Sequence, residues 1–281
     1  MEIKTNIIVN SSYHNKPLIT DVYYKRDNIQ KPAIIFCHGY KGFKDWGAWD
    51  MMAKKIANKG VFFLKFNFSH NGGTIENPID FSDLEAFGNN NYSIELNDLE
   101  DIINWISNNN EYKNEINLHN ITLIGHSRGG GIVTIKASEN DKISKVISWN
   151  GVSDYDSRFV KGQELQEWEK TGVRYITNSR TKQQMPHFYQ FFENYESNKE
   201  RLSIKKAVKR LQIPYLIITG ENDTAVKPFE GESIHQWNPK SKLVCIEGMN
   251  HTLGAKHPWN EENLPMHLDK AIQLSIDFIK S

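Results

Sequence analysis

One serine, one carboxylate and one histidine of this chain are spaced for acyl transfer. The serine is Ser127, in ITLIGHSRGGG (Ile121–Gly131), where an apolar run ends in Gly-His-Ser-Arg-Gly and more glycines follow. G-x-S-x-G between a strand and a helix marks a sharp turn with the serine at its apex and its hydroxyl exposed. Gly125 and Gly129 lie two positions either side of Ser127, where a side chain would collide in so tight a turn. The helix that follows aims free N–H groups and the positive end of its dipole at the reaction centre. The plain alternative is a glycine-rich turn with an N-capping serine. The apolar run before the serine and the helical stretch after it, to about Glu139, favour the elbow.

A serine hydroxyl becomes nucleophilic only when a neighbouring base takes its proton. A histidine is the usual base, and a carboxylate orients its other ring nitrogen. Asp223 ends Gly-Glu-Asn-Asp after the apolar run PYLIIT (Pro214–Thr219), and His251 ends Gly-Met-Asn-His after KLVCIE (Lys242–Glu247). Both lie past the carboxyl ends of successive strands, where open α/β sheets place their sites. Glu221 is a rival carboxylate and Asp154 a weaker one. Alone, Asp223 reads equally as a turn aspartate and His251 as a surface histidine. The order Ser, Asp, His behind a serine elbow is what joins them. Among other histidines, His126 is expected to point away from Ser127. His257 and His267 lie beyond the last strand turn, and His70 ends an earlier strand and could line the cleft. The oxyanion needs preorganised donors. The Arg128 N–H, directly after the serine, is one candidate, and the Tyr40 N–H, in His38-Gly39-Tyr40 after AIIFC, is the other.

The elements that must position these residues alternate. Residues 3–9 and 18–25 read as antiparallel strands, and Ala33–Cys37 is a continuous apolar run typical of a strand buried on both faces. Trp46–Asn58 has helical spacing, Val61–Phe68 is strand-like, and Tyr92–Asn108 is helical again after the long polar stretch 69–91. Beyond the elbow come a strand at Lys145–Trp149, the strand at Pro214–Thr219, a helix near Phe229–Trp237, the strand at Lys242–Glu247 and a helix from about Glu261 to Lys280. Such alternation implies a mostly parallel sheet flanked by helices. Between about Asp154 and Leu211 no clear strand is visible. Residues 1–153 and 212–281 therefore read as a core domain, and 154–211 as a mostly helical cap insertion. In HFYQFFENY (His187–Tyr195), Phe188, Phe191, Phe192 and Tyr195 form one helical stripe that packs the cap down or lids an acyl or aryl pocket.

The chain has 281 residues, with 34 basic side chains balancing 34 acidic ones, so no polyanion-binding surface and no nucleic-acid partner are expected. Mean hydropathy is −0.59 and no apolar stretch is long enough to span a membrane. The N-terminal residues lack the long apolar segment of a signal peptide. Cys37 and Cys245 both lie in strand-like runs and read as buried free thiols, which suits a cytoplasmic location. Arg158, Arg174 and Arg180 could bind a substrate carboxylate, although solvated surface is their plainer reading. No cluster has metal-ligand spacing, and no phosphate loop or dinucleotide fingerprint is present, so neither a metal nor a cofactor is expected.

His-Gly after a strand, Gly-His-Ser-Arg-Gly at an elbow, Gly-Glu-Asn-Asp and the late Asn-His together resemble the α/β-hydrolase superfamily, over roughly residues 18–280. The nearest likeness is to bacterial cinnamoyl/feruloyl-type esterases and to dienelactone-hydrolase-like and serine-peptidase-like groups. The resemblance implies the α/β-hydrolase fold with a helical cap insertion before the strand leading to the acid, and an oxyanion pair on Tyr40 and Arg128. Two features depart from it. Phe68-Ser69-His70-Asn71-Gly72-Gly73 replaces the Arg-Gly-His-Gly-type turn of many relatives, and Ser127 stands where the dienelactone branch often has cysteine.

The expectation is thus a serine carboxylesterase that hydrolyses small or aryl esters through an acyl-enzyme. Its partner is a small-molecule ester, with a homodimer left open. A serine exopeptidase is the nearest rival. A non-catalytic binding protein, which would usually have lost a triad member, and an interfacial lipase, which would need an amphipathic surface helix, follow further behind.

Overall fold

The computed structural model describes residues 1–281. In chain order the first half runs β1 (Glu2–Val9), β2 (Leu18–Tyr24), β3 (Lys31–Cys37), α1 (Trp49–Asn58), β4 (Phe62–Phe66), α2 (Leu84–Gly88), α3 (Tyr92–Asn108), β5 (Ile116–His126) and α4 (Arg128–Ala137). The second half runs β6 (Ile143–Trp149), α5 (Gln163–Thr171), β7 (Val173–Thr177), β8 (Gln184–Phe188), α6 (Gln190–Ser197), α7 (Ile204–Arg210), β9 (Tyr215–Gly220), α8 (Pro228–Trp237), β10 (Lys242–Ile246) and α9 (Met266–Lys280).

Eight strands form one sheet in the order β1-β2-β4-β3-β5-β6-β9-β10. Pairings β1–β2 and β2–β4 are antiparallel, and the rest are parallel. The continuous apolar runs are explained by two-sided burial. Ala33, Ile35 and Cys37 of β3 enter the core beneath α3 and α4, while Ile34 and Phe36 enter the core beneath α1 and α9. Strand β9 splits the same way, with Tyr215 and Ile217 on one face and Leu216 and Ile218 on the other. Since a strand's side chains alternate in direction, each such strand needs apolar residues at both parities.

This is the α/β-hydrolase fold, with a mostly parallel sheet flanked by helices. Chain direction through the sheet reverses around β3, which lies between β4 and β5, and a crevice opens there at the carboxyl ends of the strands.

Local chemistry sets the helix ends. Asn91 caps α3, its Oδ1 accepting from the Ile94 N–H at 2.9 Å, and Asp83 caps α2 through the Ala86 N–H at 2.8 Å. The stretch 69–91 thus carries a short helix within its polar sequence. Pro265 precedes α9, which begins at Met266 rather than near Glu261. Its ring and missing N–H bar a helix from running through it from upstream.

Two further readings need correction. Residues 154–211 include an antiparallel hairpin, β7–β8, in addition to helices α5, α6 and α7. Cys37 is buried, but Cys245 is exposed. It lies on β10, the sheet's edge strand, whose outward side has no neighbour to cover it.

Candidate active site

Strand β5 delivers Ser127 into a backbone conformation (φ 57°, ψ −121°) that L-residues rarely adopt. The turn is held by backbone bonds on both sides. The Ser127 N–H donates to the Trp149 carbonyl at 3.0 Å, and the Ser127 carbonyl accepts from Gly130 and Val152 at 3.0 and 3.2 Å. Glycine is required beside it on steric grounds. A Cβ on Gly125 would lie 2.2 Å from the Gly129 oxygen, and one on Gly129 would lie 2.6 Å from the carbonyl oxygens of Cys37 and His38. Those contacts let α4 start directly against the end of β3.

Ser127 Oγ lies 3.0 Å from His251 Nε2, and His251 Nδ1 lies 2.7 Å from Asp223 Oδ2. Asp223 is 3 % exposed, and its Oδ1 accepts from the Ala225 and Val226 N–H groups, both at 2.8 Å. An ionised carboxylate only accepts, so the proton of His251 belongs on Nδ1 and Nε2 is left to accept from Ser127. The two rival carboxylates are occupied elsewhere. Glu221 accepts from the Gly248 N–H at 2.9 Å, and Asp154 closes a turn by accepting from Ser157 at 2.7 Å.

The N–H groups of Tyr40 and Arg128 donate to no other protein atom. Gly39 brings the first of these loops against the elbow, since a Cβ there would lie 2.8 Å from the Ser127 Cβ. Both N–H groups therefore stand free beside the serine, one of them in the first turn of α4. That pairing suits an oxyanion.

Two positioning residues escape the sequence reading. Asn150, buried and at φ 47°, donates from Nδ2 to the carbonyls of Asn250 and His251 at 3.1 and 3.0 Å. Its Oδ1 accepts from the Gly220 N–H at 2.8 Å, so one side chain ties the loop of His251 to the strand end before Asp223. His126 makes no hydrogen bond to Ser127, but its Nε2 donates to the His251 carbonyl at 2.8 Å and its ring packs 4.9 Å from that of His251. Of the other histidines, His257 Nδ1 accepts from the Gly47 N–H at 2.9 Å. His70 binds the Ser69 hydroxyl at 2.7 Å and stays outside the cavity lining.

The site opens into a cavity of about 720 Å³. Its walls include Tyr40, Trp49, Tyr92, Phe159, Trp168 and Phe191, and the insertion supplies the last three. Of the aromatic stripe, Phe191 and Tyr195 are buried, and Phe191 packs 4.9 Å from Tyr92 and 5.1 Å from Phe159. The stripe thus docks the insertion on the core while Phe191 also faces the cavity. Arg158, Arg174 and Arg180 border it too, Arg174 half-buried and Arg158 and Arg180 still exposed to solvent. No group of three or more His, Cys, Asp or Glu side chains is placed to hold a metal ion. No helix is long and apolar enough to cross a membrane.

Burial holds four imidazoles of this region neutral. It pushes His38 and His70 down to about 4, and His126 and His187 down to about 3. The Arg128 charge adds to the effect at His187. In the unfolded chain these groups titrate near pH ~6.5. Below that pH the unfolded state takes up protons that the folded state refuses, so stability is lost as pH falls from ~6.5 towards the folded values. At pH ~5.5 the loss is about 1 kcal/mol per histidine. Urea unfolding at neutral pH and at pH ~5.5 should show a drop of several kcal/mol, reduced by about 1 kcal/mol in His187→Gln. A flat profile would show that these rings charge freely in the fold.

The comparisons agree with this architecture. A family model described as alpha/beta hydrolase fold matches residues 32–171. No curated protein matches the sequence significantly. Among solved structures, Est1E from Butyrivibrio proteoclasticus superposes with a TM-score of 0.70 at 14% identity, covering 99% of this chain and 98% of its own. The same protein has been solved with ferulic acid bound. Acylaminoacyl peptidase from Pyrococcus horikoshii superposes with a TM-score of 0.66 at 16% identity, covering 99% of this chain and 41% of its own. At such identities the likeness is one of fold. The chain is an α/β hydrolase by fold.

Proposed function

We propose that the chain is a serine hydrolase acting on carboxylic esters. The observation that carries this reading is the unbroken chain from Ser127 Oγ through His251 to Asp223 on the floor of a partly aromatic cavity. His251 takes the Ser127 proton as Oγ bonds to the ester carbonyl carbon, and the carbonyl π pair moves to oxygen. The Tyr40 and Arg128 N–H groups hold that oxyanion. Its collapse breaks the carbon–oxygen bond to the alcohol, which leaves with the proton from His251. Water, deprotonated by the same histidine, then releases the acid. Asp223 keeps the imidazole in the required tautomer and stabilises its charged form. In this reading, residues 1–153 and 212–281 form the catalytic core, and 154–211 is a cap that shapes the substrate cavity.

Two of the similar structures are peptidases, which supports amide cleavage as a second reading. The absence of any Asp or Glu from the cavity lining disfavours substrates with a free amine. A panel of chromogenic alkanoyl esters, a hydroxycinnamate ester and an aminoacyl anilide separates the two. Turnover of the esters with covalent labelling of Ser127 by a fluorophosphonate is the expected result. Turnover of the anilide alone would move the assignment to a peptidase.

A further inference from the structure

The charge around the cavity is one-sided. The chain as a whole is balanced, 34 basic residues against 34 acidic. Yet five cationic side chains line the cavity, Lys41, Arg128, Arg158, Arg174 and Arg180, with no aspartate or glutamate among the lining residues. Bulk composition does not explain this asymmetry. Anionic substrates are drawn to such a cleft and cationic ones repelled.

The five cations differ in how fully they are already paired. Arg158 is bound to Glu230 and Arg180 to Asp80. Arg128 meets Glu95 through one contact of 3.3 Å. That carboxylate also accepts from Asn90 at 2.8 Å, so its oxygen is shared. Arg174 has only Glu164 at 3.9 Å, and the Glu164 side chain is 74 % exposed, so water screens the pair. Lys41 has no carboxylate within 4.0 Å, is held at φ 54°, and is partly desolvated. Its only charged-group contact of note is with a ring, since Lys41 Nζ lies 5.2 Å from the Tyr40 centroid. The Arg128 guanidinium lies 4.4 Å from the same centroid. The Tyr40 hydroxyl is 2.7 Å from His187 Nε2, and the charges of Arg128, Arg174 and Lys41 all bear on that imidazole. Three under-paired cations thus converge on the Tyr40–His187 wall, on the loop whose N–H is offered to the oxyanion.

We infer that the substrate of this site is an ester carrying a carboxylate, held by Lys41 and Arg174 against the Tyr40–His187 wall with Arg128 behind it. The inference rests on the hydrolase reading and names its substrate class. A guanidinium fork suits the flat, two-oxygen face of a carboxylate. The carboxylate could sit on the acyl part, as in a dicarboxylic half-ester, or on the alcohol part, as in the ester of a hydroxy acid.

Two series of esters of equal length test this, one varying the end of the acyl chain and the other the end of the alcohol, each ending in carboxylate, carboxamide or ammonium. The carboxylate member of one series should exceed its carboxamide counterpart by about tenfold or more in kcat/KM, and the ammonium member should be the poorest. The responding series identifies the part that bears the charge. The carboxylate-to-carboxamide ratio should shrink as salt is raised, and shrink again in Lys41→Gln, Arg174→Gln and the double variant. Because the ratio is taken within each variant, general damage to the enzyme cancels. Equal rates across both series, or a ratio unchanged in the double variant, would overturn the inference while leaving the hydrolase reading intact. If no ester turns over, calorimetric binding of the same compounds to the Ser127→Ala protein decides. Selective binding of the carboxylates sustains the charge inference without the hydrolase reading, and unselective or absent binding overturns it.

Discussion

Ser127→Ala is expected to lower kcat on any ester the wild type turns over by roughly 10⁴- to 10⁶-fold, the range seen when a serine hydrolase loses its nucleophile. The protein should stay folded. The hydroxyl's one protein partner is His251 Nε2, and the elbow is held by backbone bonds that alanine leaves in place. Stability should therefore change by about 1 kcal/mol or less, the usual size for a small substitution that opens no cavity. Steady-state rates on homogeneous protein, with thermal melts alongside, check both halves. A variant that kept a tenth of the wild-type rate would remove Ser127 from the reaction.

Asp223→Asn should lower kcat by about 10⁴-fold with little change in fold, the size known from serine proteases in which the same atom swap misplaces a proton. The reason is specific to this turn. Oδ1 of residue 223 accepts from two backbone N–H groups, those of Ala225 and Val226. An asparagine there must keep its oxygen on those donors, so its NH₂ faces His251 Nδ1. The imidazole then has to accept at Nδ1 and carry its proton on Nε2, facing the serine it should deprotonate. Measuring kcat against pH for wild type and variant tests this. A loss of less than tenfold would mean that Asp223 does not govern the tautomer.

How much of this was legible in the sequence depends on whether a feature is local. The strands β5, β9 and β10 are apolar runs, and each ends in a turn that carries a named residue, Ser127, Asp223 and His251 in order. The proximity of Ser127, Asp223 and His251 could thus be read from turns alone. Asn150 could not. Its value depends on β6 lying between β5 and β9 in the sheet, which brings the Gly220 amide and the His251 carbonyl to one side chain. The role of His126 could not be read either, because it depends on the loop of His251 folding over the elbow and offering a carbonyl. The hairpin β7–β8 was invisible because VRYIT and QMPHF pair only with each other, and their half-buried, mixed residues lack a clean period. Cys245 was misjudged because an edge strand and an interior strand can share one apolar pattern, and only sheet order tells them apart. Arg158 and Arg180 are surface residues as their sequence suggests, and only the folding of the insertion across the crevice sets them and Arg174 along its rim.

The hydrogen bond between the Tyr40 hydroxyl and His187 bears on how this scaffold could be re-engineered. His187 belongs to the hairpin of the insertion, and Tyr40 supplies, from its backbone, a proposed oxyanion donor. A designer who grafts a foreign insertion between β6 and β9 to alter substrate preference would also cut the strut that braces the loop of Tyr40. Chimeras of this kind should carry a histidine or glutamine facing Tyr40, because selectivity and turnover share that one joint.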